Sequence, residues 1–157
     1  MSKYCFVQPD PQDWGTLKQI ADIDAQAFAS DGISVFNLAQ FVRSGAVYCL
    51  TDGSNVVAEA VLLRNIHDAG AIVFGFAVAN SQQGKGIGTL LIEHLIGVAT
   101  DAGIAYLELT FNPDNLSAKR LYMEKAGFYK KTELSDHPQK GEPRWLLRLD
   151  LSQVESS

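Results

Sequence analysis

Ala71-Ile72-Val73-Phe74-Gly75-Phe76-Ala77-Val78-Ala79, then Gln83-Gly84-Lys85-Gly86-Ile87-Gly88, then an apolar series at Ile87, Leu90, Leu91, Leu95 and Val98 form the stretch that decides the fold. The first block is almost wholly apolar, rich in Val, Phe and Ile, and short enough for a buried strand. The second is a glycine-rich turn. The third places its large side chains on one helical face from Gly84 to Thr100, and Asp101-Ala102-Gly103 supplies the stop. The unit is therefore strand, glycine turn, amphipathic helix.

Working outward, Tyr4 to Gln8 reads as a first strand. Asp10-Pro11 reads as an N-cap with proline in the first helical position, so a helix is expected to start there. Trp14, Leu17, Ile20, Ala21, Ala27 and Phe28 carry that helix to Ser30-Asp31-Gly32. A shorter helix spans Phe36 to Val42. Two strand-like runs, Ala46 to Thr51 and Val56 to Arg64, flank the turn-forming Asp52-Gly53-Ser54-Asn55 and predict a hairpin. Beyond the deciding stretch come a strand at Ile104 to Phe111, a helix from Asn115 to Ala126, and strands at Phe128 to Glu133 and Trp145 to Leu151. This order predicts an α/β (α+β) domain in which helices pack on the faces of a mixed sheet. With 157 residues and no repeat, low-complexity run or linker, one domain over 1–157 is expected, its core at about 3–151.

Composition narrows the function classes. The chain is 46% hydrophobic and 20% charged, and no apolar run is long enough to span a bilayer, so a soluble protein without a membrane partner is expected. The first residues show no secretory signal pattern, which predicts a cytoplasmic location. A net charge of −5 without a cluster of Lys and Arg argues against a nucleic-acid partner and favours cationic substrates. Cys5 and Cys49 lack ligand or disulfide spacing and read as buried small side chains. His67, His94 and His137 have no metal-ligand spacing, so no metal is expected.

At the start of a helix several backbone N–H groups lack intrahelical acceptors, and the helix dipole places partial positive charge there. Glycines let an anion approach that backbone, and Lys85 adds a full charge. The turn is thus a candidate pyrophosphate site. It lacks the four-residue interval and following Ser or Thr of a Walker loop, and its third glycine is one place early for a dinucleotide fingerprint.

With Gln83, Gly86 and Gly88 in the positions of Q/R-x-x-G-x-G/A after a strand, the turn resembles the acyl-CoA loop of the GNAT N-acyltransferases. A second motif agrees: Asn115, Ala118, Leu121 and Tyr122 match N-x-x-A-x-x-L-Y, and Gly127-Phe128 resembles the pair that closes it. The element order is also similar across nearly the whole chain. The resemblance implies a mostly antiparallel sheet of six to seven strands with about four helices, whose fourth and fifth strands splay to admit the cofactor. The interval from Tyr122 to Gly127 is one residue longer than the family's usual spacing, which puts a bulge at the end of that helix among the possibilities.

The resemblance further implies an acetyl-CoA-dependent N-acetyltransferase. Backbone groups of Phe76, Ala77 and Val78 would pair with the pantetheine arm, and the Val78 N–H would face the thioester carbonyl as oxyanion donor. Amides of Gln83, Gly84, Lys85, Gly86, Ile87, Gly88 and Thr89 would hold the pyrophosphate, with Asn115 and Ser117 contacting the cofactor as well. Asn115 is equally a good helix N-cap. Tyr122 would serve the leaving thiolate. The amine, protonated at neutral pH, needs a base. Glu108, on a face with Tyr106 and Thr110, is the first candidate. Glu59 is the second, and the ordinary reading of either is an exposed strand carboxylate. Neither cysteine lies in the motifs, so direct transfer in a ternary complex is expected rather than an acyl-enzyme.

The acceptor, a small-molecule amine or a protein or peptide amine, would meet the first two helices, their loop at Ser30 to Ser34, and Ser135 to Pro143. The chain would act as a monomer or homodimer. The alternative from another class is a non-catalytic acyl-CoA sensor, which would bind CoA tightly and release no thiol with any amine.

Overall fold

The computed structural model describes residues 3–137 and 141–151. Seven strands, β1 (Tyr4–Val7), β2 (Val47–Asp52), β3 (Asn55–Arg64), β4 (Ala71–Val78), β5 (Tyr106–Phe111), β6 (Tyr129–Leu134) and β7 (Arg144–Asp150), form one sheet in the order β1-β2-β3-β4-β5-β7-β6. The β1/β2, β2/β3, β5/β7 and β6/β7 pairs are antiparallel and β4/β5 is parallel. Helices α1 (Trp14–Phe28), α2 (Val35–Arg43), α3 (Ile87–Asp101) and α4 (Leu116–Lys119) complete the mixed α/β fold, and a π-helical turn, Arg120–Lys125, continues α4.

Two helices start later than their sequence signals suggest. Asp10-Pro11 forms a turn: the Asp10 carboxylate accepts the Gln12 N–H at 2.8 Å and its carbonyl accepts the Asp13 N–H. Asp13 is the N-cap of α1, because its carboxylate can take both the N–H and the hydroxyl of Thr16, at 3.1 and 2.7 Å. The central helix begins at Ile87 rather than Gly84, since Gly84 and Gly86 have φ of 81° and 78°, outside the helical region.

Contacts divide the chain into two compact units, one running up to Leu63 and including Val73–Leu95, the other Arg64–Ile72 with Ile96 onward. In the first, Leu17, Ile20 and Ile23 of α1 and Leu38 and Val42 of α2 pack with Val47, Cys49, Val56, Val61 and Ala77 from the strands. Each of the leucine, isoleucine and valine side chains contributes about 1.5–3 kcal/mol of hydrophobic stabilisation. Cys49 is buried as expected; Cys5 is exposed, because β1 is the sheet's edge and alternate residues face outward.

In the second unit Leu107, Leu109, Phe111, Phe128 and Leu147 are buried. The break before β4 is latched to β5: Tyr106 Oη donates to Asp68 Oδ2 and accepts from Asn65 Nδ2 at 3.1 Å, and Asp68 Oδ1 accepts the Gly70 N–H at 2.8 Å. Arg148 lies 3.7 Å from the centre of the Tyr106 ring. The Tyr106 hydroxyl foremost, with Asn65 and the Gly70 N–H, pulls the Asp68 carboxyl down to about 2. No described helix is long and apolar enough to cross a membrane.

Candidate functional site

In the first unit, β4 alternates buried Val73, Gly75 and Ala77 with Phe74, Phe76 and Val78 on the more open face. The Ala79 N–H donates to Val57 O of β3 at 2.9 Å. Backbone groups alternate along a strand, so the Val78 N–H, one residue earlier, is aimed away from β3.

A 3-10 turn at Asn80–Gln82 leads into the glycine loop, where Gln83, Gly84, Lys85 and Gly86 are exposed and Ile87 is buried at 2% exposure. Ile87 thereby anchors the helix by its side chain while its amide stays in the loop. The first intrahelical bond of α3 runs from Leu90 N to Gly86 O at 3.1 Å, which leaves the N–H groups of Ile87, Gly88 and Thr89 without an intrahelical acceptor. A Cβ at Gly84 or Gly86 would meet nothing within 4 Å. The glycines are therefore required by their positive φ and not by crowding, and the loop is open to an anion. Lys85 Nζ stands 3.3 Å from Gln82 Oε1. This geometry fits a diphosphate.

In the second unit, Tyr122 is buried, with Phe111 and Phe128 edge-on to its ring at 6.4 and 6.0 Å. The residue that lengthens the interval to Gly127 is absorbed by the π turn: Ala126 N bonds Leu121 O, five residues back, and Phe128 N bonds Tyr122 O at 2.8 Å. Gly127 takes φ 87° to leave the helix. Asn115 is the N-cap of α4, its Oδ1 accepting the Ala118 N–H at 3.1 Å, and Ser117 is exposed on the following turn. The cap is thus one of the two roles the sequence offers Asn115.

Glu108 shares its β5 face with Tyr106 and Thr110. Its carboxylate lies 4.0 Å from Lys131 Nζ, and Arg148 is its register partner on β7. Thr110 is held by Arg144, whose Nε bonds Oγ1 at 3.0 Å and whose Nη2 bonds the Thr110 carbonyl at 2.8 Å. Glu59 is no exposed strand carboxylate. It is completely buried and contacts Asp24 of α1, because every interior residue of β3 from Val56 to Leu62 is enclosed. Asp24 falls on the same helical face as Leu17 and Ile20, and that lone acid in an apolar stripe was the signal to be found. Of the segment Ser135 to Pro143, expected from the sequence to meet the acceptor, residues 138–140 lie outside the described residues.

A family model described as Acetyltransferase (GNAT) family matches residues 14–128. Among solved structures, the ribosomal-protein-S18-alanine N-acetyltransferase from Escherichia coli is similar with a TM-score of 0.80 at 23% identity, covering 98% of this chain and 97% of that one. Ard1 from Thermoplasma volcanium superposes with a TM-score of 0.82 at 17% identity over 96% and 99% of the two chains. A chain of the NatC complex bound to Gag peptide and CoA does so with 0.83 at 18% identity, over 96% and 100%. At these identities the likeness carries the fold.

Proposed function

Since the chain belongs to the GNAT acetyltransferase family, we propose that it is an N-acetyltransferase that moves the acetyl group of acetyl-CoA to a primary amine by direct attack in a ternary complex. The observation that carries this reading is the glycine loop: two glycines at positive φ, exposed, leading into helix-start amides with no intrahelical acceptor. In this reading Gln83, Gly84, Lys85, Gly86, Ile87, Gly88 and Thr89 grip the diphosphate. Phe76, Ala77 and Val78 pair with the pantetheine arm, the Val78 N–H steadies the negative charge that develops on the thioester oxygen, and Asn115 and Ser117 add contacts. Acetyl-CoA supplies the activated acyl group; Tyr122 hydrogen-bonds the departing sulfur. The acceptor is a small-molecule or a protein or peptide amine, favoured by the net charge of −5.

Calorimetry with CoA and acetyl-CoA, followed by thiol release across a diverse amine panel, tests the reading. Gly86→Val places a β-branched residue at φ 78°, which costs about 1–2 kcal/mol or distorts the loop. A CoA affinity weakened by about tenfold or more is expected. No heat from CoA on folded wild-type protein refutes the assignment.

Glu108 is the proposed base. Glu108→Gln is expected to lower kcat by about a hundredfold. A loss below about threefold, with stability changed by under about 1 kcal/mol, would instead assign the carboxylate to its ion pair with Lys131. That ion pair is also the observation favouring a CoA-binding sensor, for which no panel amine would release thiol.

A further inference from the structure

Asp24 and Glu59 are 1% and 0% exposed, the buried acids among the described residues. Asp24 sits on the inner face of α1, and Glu59 in mid-β3 opposite Cys49 of β2. Asp24 Oδ1 and both Glu59 oxygens find no donor group among the described residues, and the two carboxyl groups lie close enough to act on each other. Two carboxylates cannot readily both stay charged side by side in a buried core, so the pair holds a proton between them. Glu59 is its holder: burial foremost, then Asp24, raises its pKa well above the ordinary value. The other titratable group facing Glu59 is the Cys49 thiol, which burial, with Glu59 and Asp13, pushes up to about 11, so it stays neutral and brings no cation to the pair.

The second Asp24 oxygen, Oδ2, accepts the Ile33 N–H at 2.5 Å. That bond ties down a segment with an unusual path. Ala29 has φ 51° and ψ −123°, a conformation that non-glycine residues avoid. A Cβ on Gly32 would stand 3.0 Å from Asp24 Oδ2 and 3.1 Å from Ala29 O, so the chain passes as near the carboxylate as glycine allows. Ile33 Cδ1 then reaches within 3.4 Å of where Gly75 would carry a Cβ, and Gly75 directly precedes Phe76 on β4.

We propose that the Asp24–Glu59 carboxyl pair is a positioning device for the acceptor: its shared proton aims Asp24 at Ile33 and so holds residues 29–33 against β4, beside the strand that presents the acetyl group. The proposal rests on the reading of β4 as the thioester strand. Both acids act through Ile33 and touch no reacting atom. Because folded Glu59 keeps its proton to higher pH than the unfolded chain does, the latch is complete in acid and weakens as pH rises through the raised pKa, when a second charge repels Asp24.

The test combines hydrogen exchange at the Ile33 amide, corrected for intrinsic rate, with CoA calorimetry and acetyl transfer to n-butylamine and to an alanyl peptide. Wild-type Ile33 protection is expected to fall with rising pH. Glu59→Gln, whose amide donates to Asp24 without titrating, should hold it flat. Asp24→Ala should lose about tenfold protection below the raised Glu59 pKa, where the wild-type latch is complete, and raise the amine KM, with CoA affinity unchanged within about twofold. Equal protection in wild type and Asp24→Ala at that acid end overturns the proposal. So does a Glu59→Gln variant that follows the wild-type pH course, and this isosteric change keeps the test valid if Asp24→Ala fails to fold. If Ile33 behaves as expected but wild-type protein binds no CoA, the acetyl-CoA reading fails, and the role in transfer fails with it.

Discussion

Replacing Tyr122 with phenylalanine is expected to lower kcat for acetyl transfer by about a hundredfold, or about 2.7 kcal/mol of transition-state stabilisation, while the KM for acetyl-CoA stays within about threefold. The substitution removes one oxygen and keeps the ring, which is seated edge-on against Phe111 and Phe128, so the fold should survive intact. Phenols ionise near 10 and thiols near 8.5, which makes complete proton transfer to the sulfur uphill by about 2 kcal/mol. A hydrogen bond that strengthens as charge develops on sulfur avoids that cost. Its loss falls on kcat, because the uncharged thioester sulfur of the ground state is a poor acceptor. Steady-state kinetics of Tyr122→Phe across pH is the measurement. Unchanged turnover at every pH would remove Tyr122 from the chemistry and leave it a packed aromatic.

Gly70→Ala is expected to destabilise the protein by about 3 kcal/mol or more, a fall in Tm of about 6–12 °C, without touching a proposed site residue. A Cβ at Gly70 would overlap the Cζ, Cε1 and Cε2 atoms of Tyr106. The ring has little freedom to retreat. Arg148 lies over it, and Asp68 and Asn65 hold its hydroxyl. Making room for one methyl therefore means breaking the latch that joins the 65–70 break to β5. In a Tyr106→Ala background the obstacle is gone, and Gly70→Ala should then cost under about 1 kcal/mol. Thermal melts of the four proteins close the cycle; additive effects would show that the ring is not the obstacle.

The glycine loop was legible because its chemistry is local. An apolar strand, glycines at fixed offsets and an amphipathic helix all lie within about thirty residues, and the helix-start amides follow from helix geometry. Its boundary was less so. Gly84 looks compatible with an amphipathic helix until its φ of 81° is known, and Asp10 competes with Asp13 for the cap of α1 until Thr16 is seen to bond Asp13 twice. The extra residue before Gly127 was countable, whereas its accommodation as a π turn depended on Tyr122 and Phe128 both remaining buried.

What the amino-acid order by itself determined was the series of strands and helices, the glycine turn at the start of α3 and the Asn115-to-Phe128 motif, since each depends on groups that are near neighbours along the chain. The tertiary structure alone decided that Glu59 meets Asp24 in the core, that Gly70 is the only residue that fits beneath Tyr106, and that Glu108 faces Lys131. Those partners lie between 23 and 36 residues apart in sequence. A carboxylate's neighbours, and hence its charge and task, exist only once the chain has folded.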